Sequence, residues 1–280
     1  MKNLLLLTIS IVFTSLYTKA QTPAYKVYAI RFAESTYPFT VADWVKGGPK
    51  TTLKINFMVW LIKGSNGRNI LVDAGFYNDS DDAKEFKLIN YIRPDSAVMK
   101  IGLKPEEITD IILSHPHWDH INGIDLFPKA RVWMQNEDYS YFTGTAWQKG
   151  GDKGGFAQRD VRKIVELNLA DKLRLINGDN REIIPGIKVY TGSRHTFNSQ
   201  YVGLKAGNNK IILASDNVWV YYNIDHLLPA NGGTLNAAGY TKAMQRMKTL
   251  VNNPKFIIPG HDAQIFSKFP KVTDGIVEIK

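Results

Sequence analysis

Apolar positions in this chain fall mostly in short β-type runs set off by turn residues, with a few helical stretches between them. Tyr25 to Phe32 alternates and is rich in β-formers, which predicts a first strand. Leu53 to Ile62 is strongly apolar, and Asn66-Gly67 reads as a hairpin turn joining it to Asn69–Val72. Ile108 to Leu113, Ala130 to Met134 and Phe256-Ile257-Ile258 read as buried strands. Leu173–Ile176, Arg181–Ile184 and Ile187–Tyr190 look like short antiparallel strands. Gln200–Lys205 and Lys210–Leu213 form a further hairpin, turned at Gly207-Asn208-Asn209. The helical period is strongest in Leu235 to Val251, where Tyr240, Met244, Met247 and Val251 share one face, a stripe that reads as core. Asp79 to Ile92 predicts a helix that ends before Arg93-Pro94, and Asp95 to Gly102 a shorter one. Phe39 to Lys50, with Gly47-Gly48-Pro49, reads as a loop. Asn136 to Gly155 is the least regular part: its Tyr139, Tyr141, Phe142 and Trp147 form either a lid or substrate wall, or a plug for the core. Periodicity alone supports a mixed α/β class.

Met1 to Ala20 departs from this pattern. Lys2 gives a positive start, Leu4 to Leu16 is apolar but short for a membrane span, and a cut before Gln21 is plausible. The expectation is a cleaved signal peptide over residues 1–20, a periplasmic or secreted product without a membrane anchor, and a single domain over 21–280. A chain of 280 residues with 44% hydrophobic side chains can build one large core. It has no cysteine, which excludes disulfides, lipoprotein anchoring and thiolate-bound metal. The formal charge of +9 is spread thinly, with no run of five basic residues, so a nucleic-acid partner is not expected.

The candidate chemistry sits in Ser114-His115-Pro116-His117-Trp118-Asp119-His120, with four potential metal ligands within six residues. Pro116 disfavours a helical His115, and an extended backbone puts His115 and His117 on one side, able to share a metal. Asp119 and His120 follow where the chain turns and can reach a second metal. Without thiolates, the donors must be imidazole and carboxylate, which suits zinc and neighbouring divalent ions. Asp73 stands at a strand end, either bonding a ligand loop or capping its own turn.

The His-x-His-x-Asp-His run, followed in order by His195, Asp216 and Pro259-Gly260-His261, resembles the metallo-β-lactamase superfamily from roughly Lys54 to His261. Ile70-Leu71-Val72-Asp73-Ala74-Gly75 resembles its upstream strand. Within the superfamily, Leu61-Ile62, Asn69 to Phe76, and His117 to His120 followed by Leu126-Phe127-Pro128-Lys129-Ala130 look most like N-acyl-homoserine-lactone lactonases. The resemblance implies a four-layer α/β/β/α sandwich. It implies that His115, His117 and His195 hold one divalent ion, that Asp119, His120 and His261 hold another, and that Asp216 bridges the two, zinc being the expected metal. It further implies lactone hydrolysis through a metal-bridging hydroxide, with Asp119 relaying the proton to the leaving alkoxide, and hence quorum quenching. The alternative keeps the site and changes the substrate to another ester, a β-lactam or a phosphodiester; a homodimer stays open. The sequence departs from the lactonase pattern at His195-Thr196-Phe197-Asn198-Ser199, where the family shows His-Thr-Pro-Gly-His. It departs again at Trp219, where the family has a substrate-binding tyrosine. The indole can still donate, or Tyr221 (extended segment) or Tyr222 (helical segment) could stand in. Trp118 and Trp219, neighbours of ligands in sequence, are the first candidates for substrate walls, and Phe57, Trp60, Phe142 and Trp147 are further candidates. His226 matches no ligand position.

Overall fold

The computed structural model describes residues 22–280, so the expected leader over 1–20 lies outside the described residues. Strand β1 (Tyr25–Ser35) pairs antiparallel with β2 (Asn56–Gly64), which turns through Asn66-Gly67 into β3 (Asn69–Val72). Gly67 takes φ +82°, a conformation that costs glycine no steric penalty. A two-residue strand, β4 (Leu88–Ile89), adds to β1. Next come β5 (Asp110–Ile112), β6 (Arg131–Gln135) and β7 (Leu173–Ile176), each parallel to its neighbour. The second sheet takes β8 (Arg181–Ile184), β9 (Ile187–Thr191), β10 (Gln200–Ala206), β11 (Asn209–Ser215) and β12 (Ile257–Pro259). The chain then returns to the first sheet through β13 (Lys271–Thr273) and β14 (Ile276–Glu278), giving the order β13-β14-β1-β2-β3-β5-β6-β7.

The unbroken apolar run of β2 has a direct physical reading. Met58, Trp60 and Ile62 face the second sheet, while Phe57, Val59 and Leu61 face helices on the other side. A strand covered on both faces has no use for a polar alternation. The second sheet is covered in turn by the helix Ala237–Leu250, whose Tyr240, Met244 and Met247 are fully buried. The result is the expected four-layer α/β/β/α sandwich.

Several local expectations are corrected. Leu173–Ile176 joins the first sheet parallel to β6, not the antiparallel group. Only Asp81–Glu85 of the Asp79–Ile92 stretch is helical, because Lys87 and Asn90 adopt φ +48° and +52° and the intervening residues pair with β1. The expected loop Phe39–Lys50 contains the helical turn Val41–Trp44, started by the Asp43 carboxylate accepting from the Thr40 N–H at 2.7 Å. Asn136–Thr143 is a helix, with Glu137 and Asp138 in its first turn and Phe142 in the core; the glycines begin only after it. Gln158–Leu169, for which no helix was expected, packs Ile164 and Asp160 inward.

Candidate metal centre

The parallel pairs β3–β5 and β11–β12 run their carboxyl ends toward one rim of the sandwich, the usual place for chemistry in parallel sheets. Asp73 follows β3, the histidine cluster follows β5, Asp216 follows β11, and His261 follows β12. The loop after β9 brings His195. His117 caps a single helical turn, Trp118–Ile121, that carries Asp119 and His120. Gly260 allows the last approach, since a Cβ there would run into Asp216 Oδ1.

The seven expected ligands converge as two groups: His115, His117, His195 and Asp216 in one, Asp119, His120 and His261 in the other. His195 Nε2 lies 3.2 Å from His115 Nε2 and 3.1 Å from His117 Nδ1. Asp216 divides its carboxylate between the groups. Its Oδ2 is 3.4 Å from His195 Nε2, and its Oδ1 is 3.0 Å from His261 Nε2 and 3.3 Å from His120 Nε2. Asp119 Oδ2 completes the second group, 3.2 Å from His120 Nε2 and 3.6 Å from His261 Nε2.

Hydrogen bonding on the far side of four of the five rings, all but His117, fixes what points inward. His120 Nδ1–H donates to Asp73 Oδ2 at 2.8 Å, His261 Nδ1–H to the Asn56 carbonyl at 3.2 Å, and His195 Nδ1–H to the Gly233 carbonyl. His115 Nδ1 meets Ser114 Oγ at 2.8 Å. Assigned from this network, Nδ1 carries the hydrogen in the neutral form of these four rings, which leaves Nε2 as the inward ligand atom. The inward Nε2 atoms of His195 and His115, held 3.2 Å apart, repel through their lone pairs unless a cation lies between them. A tetrahedral ion with ligand bonds near 2.0 Å has edges of about 3.3 Å, which matches. His120 Nε2 and Asp216 Oδ1 are buried without a hydrogen-bond partner, as expected of atoms reserved for a metal. The donor set therefore fits two divalent ions.

Asp73 resolves its two readings in favour of the ligand loop. It is fully buried and accepts from Ser114 N (2.8 Å), Ser114 Oγ (2.9 Å), His120 Nδ1 (2.8 Å) and Ser215 Oγ (2.8 Å). Sequence reasoning missed Ser114, Ser215 and Gly233, which carry no signal beyond standing next to ligands or in a loop.

Electrostatics differ between the two groups. Burial pushes the His115, His117 and His195 imidazoles down, His117 to about 3, so this group is neutral and ready to bind metal. Burial opposes charge on His120 and His261 as well, but Asp119 and Asp216 outweigh it and raise both, so without metal these rings favour the imidazolium form and a bound metal would displace the Nε2 proton. Burial likewise works against ionised Asp216 and Asp119, yet His120 and His261 hold both carboxyls below the ordinary range.

The expected substrate contacts are placed otherwise. Trp219 Nε1–H donates to Asp216 Oδ2 at 2.8 Å, so its donor is committed to a candidate ligand. Tyr221 is 4% exposed with its hydroxyl unpartnered in the core, and Tyr222 stacks on His226 at 4.0 Å. Trp118 packs against Phe76 at 4.7 Å and is 7% exposed. Of the four, Trp219 lies nearest the first group, its ring 5.8 Å from that of His195.

A family model of the metallo-β-lactamase superfamily matches residues 58–261. Among curated relatives, the chain is 26% identical over 188 residues to N-acyl homoserine lactonase AiiB of Agrobacterium fabrum (strain C58), covering 64% of this chain and 66% of that protein. It is 24% identical over 226 residues to an N-acyl homoserine lactonase of Bacillus cereus, covering 75% and 83%. Among solved structures, an N-acyl homoserine lactone hydrolase with N-hexanoyl-L-homoserine at its catalytic metal centre superposes with a TM-score of 0.69 at 19% identity, covering 90% of this chain and 98% of that one.

Proposed function

The chain belongs to the metallo-β-lactamase superfamily of hydrolases, and from that premise we propose that it is an exported, dizinc N-acyl-homoserine lactonase. The observation that carries the proposal is the divided Asp216 carboxylate, one oxygen toward each histidine group. The similarity to curated lactonases supports the substrate class. Imidazole and carboxylate donors without thiolates support zinc.

Two ions held there supply a water of lowered pKa and a Lewis acid for the lactone carbonyl. The chain's own residues do the rest. Asp73, Ser114 and the Gly233 and Asn56 carbonyls orient the rings, so no reorganisation is needed when the ligands engage. Asp119 is ionised between His120 and His261 and keeps 11% side-chain exposure, so it can take a proton from the attacking water and return it to the leaving alkoxide oxygen. His115, His120, His195 and His261 are buried, which leaves His117 and Asp119 as the ligands nearest solvent and an incoming substrate.

A second reading, another ester substrate at the same site, is favoured by Trp219, whose N–H is occupied by Asp216 and unavailable to a lactone. A pH-stat comparison of acyl-homoserine lactones, simple esters, β-lactams and phosphodiesters on zinc-loaded protein separates them. Lactone turnover at least tenfold above the others is expected; fast phosphodiester cleavage with inert lactones would overturn the proposal.

A further inference from the structure

Trp219 is tied to both ligand groups, through different atoms. Its indole N–H donates to Asp216 Oδ2 at 2.8 Å, the oxygen that stands 3.4 Å from His195 Nε2. Its backbone carbonyl accepts from the His261 N–H at 2.9 Å. The far edge of the indole lies against Gly233, whose carbonyl accepts from His195 Nδ1. Gly233 sits at φ +51°, and a Cβ there would stand 2.6 Å from the six-membered ring of Trp219. Only glycine lets that carbonyl and the indole come so close. The indole itself has little freedom to turn. Trp44 meets it edge to face, with centroids 5.2 Å apart. The chain leading to Gly233 is fastened to the turn that carries Trp44. Lys46 N–H donates to the Pro229 carbonyl at 3.0 Å, and Asn231 bonds the Trp44 carbonyl through its backbone N–H (2.9 Å) and the Ala42 carbonyl through its amide (2.8 Å). The Trp219 backbone N–H is held as well, donating to the Tyr240 hydroxyl at 3.0 Å.

We propose that Trp219 is the positioning residue that keeps the Asp216 carboxylate divided between two ions; this rests on the two-ion reading above. The last torsion of an aspartate is broad, so an unheld Asp216 is free to turn both oxygens toward His120 and His261. That group already draws it closer, with Oδ1 3.0 Å from His261 Nε2 against 3.4 Å from Oδ2 to His195 Nε2. The indole N–H opposes the turn. It takes one lone pair of Oδ2 and leaves another for an ion amid His115, His117 and His195, while Oδ1 keeps no hydrogen-bond partner and is free for the second ion. The lactonase pattern has a substrate-binding tyrosine at this position. In this chain the position serves the metal bridge instead, and an incoming carbonyl takes no hydrogen bond from it.

The test is a competitive zinc titration against a chromophoric chelator. It compares the unsubstituted protein, Trp219→Phe, and a protein with 3-benzothienylalanine in place of Trp219, which keeps the shape of the indole and puts sulfur where the N–H was. In both substituted proteins one zinc step should weaken roughly tenfold or more, with the other unchanged within about threefold. The benzothienyl protein separates orientation from packing, because it retains the contacts with Gly233 and Trp44. Unaltered affinity at both steps in that protein would overturn the proposal, even with a loss in Trp219→Phe, and so would equal loss at both steps. Lower turnover of N-hexanoyl homoserine lactone with intact zinc affinity would make the indole a substrate contact and overturn it too. An unsubstituted protein that takes up a single zinc would remove the two-ion reading, and the role of Trp219 with it. The titration itself uses no substrate, so failure of the lactonase reading leaves its result untouched.

Discussion

Asp73→Asn tests how the second metal group is oriented. The substitution keeps the side-chain shape, and asparagine tolerates the left-handed backbone at this position, φ +62°. It replaces one carboxylate oxygen by an NH2 group. Asp73 Oδ1 accepts the Ser114 N–H at 2.8 Å, and an amide oxygen can keep that bond. The NH2 then takes the place of Oδ2, which accepts from His120 Nδ1 at 2.8 Å. Two donors would face each other. His120 relieves the clash by moving its hydrogen to Nε2, the atom that stands 3.3 Å from Asp216 Oδ1 and 3.2 Å from Asp119 Oδ2. A protonated Nε2 cannot bind metal. Losing such an orienting partner typically costs about 10–100-fold in affinity, or roughly 1.4–2.8 kcal/mol. The loss should fall mainly on the second group, because Asp73 bonds His120 directly but reaches the first group only through Ser114 Oγ, which meets His115 Nδ1 at 2.8 Å. Competitive titration of zinc against a chromophoric chelator reads both steps. One site weakened at least tenfold and the other unchanged within about threefold is expected. Two sites of unaltered affinity, or equal loss at both, would refute the reasoning.

Asp138 titrates at about 6, raised by burial against the hydrogen bonds from Thr196 and Asn198. A carboxyl whose folded pKa is raised stabilises most below its unfolded value and loses that contribution as pH climbs past about 6. The melting temperature of Asp138→Asn relative to the unsubstituted protein should therefore rise between pH 4 and 7, by an amount on the order of 3 kcal/mol in stability; a flat difference would contradict this. Gly155→Ala places a Cβ 2.7 Å from the His117 ring at φ +74°, so it should lower first-site zinc affinity at least tenfold, read by the same titration. Export predicts a mature chain beginning at Gln21 in the extracytoplasmic fraction, checked by intact mass; an uncut Met1 form there would contradict it.

The ligand set was legible because its residues stand where strands end, and strand ends show in sequence as apolar runs broken by polar or glycine residues. Ile108 to Leu113 before Ser114, and Phe256 to Ile258 before Pro259, are such breaks. The doubly covered sheet was legible in the unbroken run of β2. The helix Gln158–Leu169 was legible too, although no helix was expected there: Val161, Ile164 and Val165 recur at helical spacing along one face. The bond from Trp219 to Asp216 could not be read. Three residues apart on a non-helical turn, the two meet only because the chain folds back there, with the Tyr240 hydroxyl accepting the Trp219 backbone N–H and donating to the Asp216 backbone carbonyl, while the indole N–H reaches the Asp216 carboxylate. The Asp138 contacts with Thr196 and Asn198 span about sixty residues and leave no local pattern.

Anomalous scattering at the zinc edge, from crystals of zinc-loaded protein, bears most directly on the account. Two peaks are predicted on either side of Asp216, one amid His115, His117 and His195, the other amid Asp119, His120 and His261. A single peak, or density away from Asp216, would contradict it.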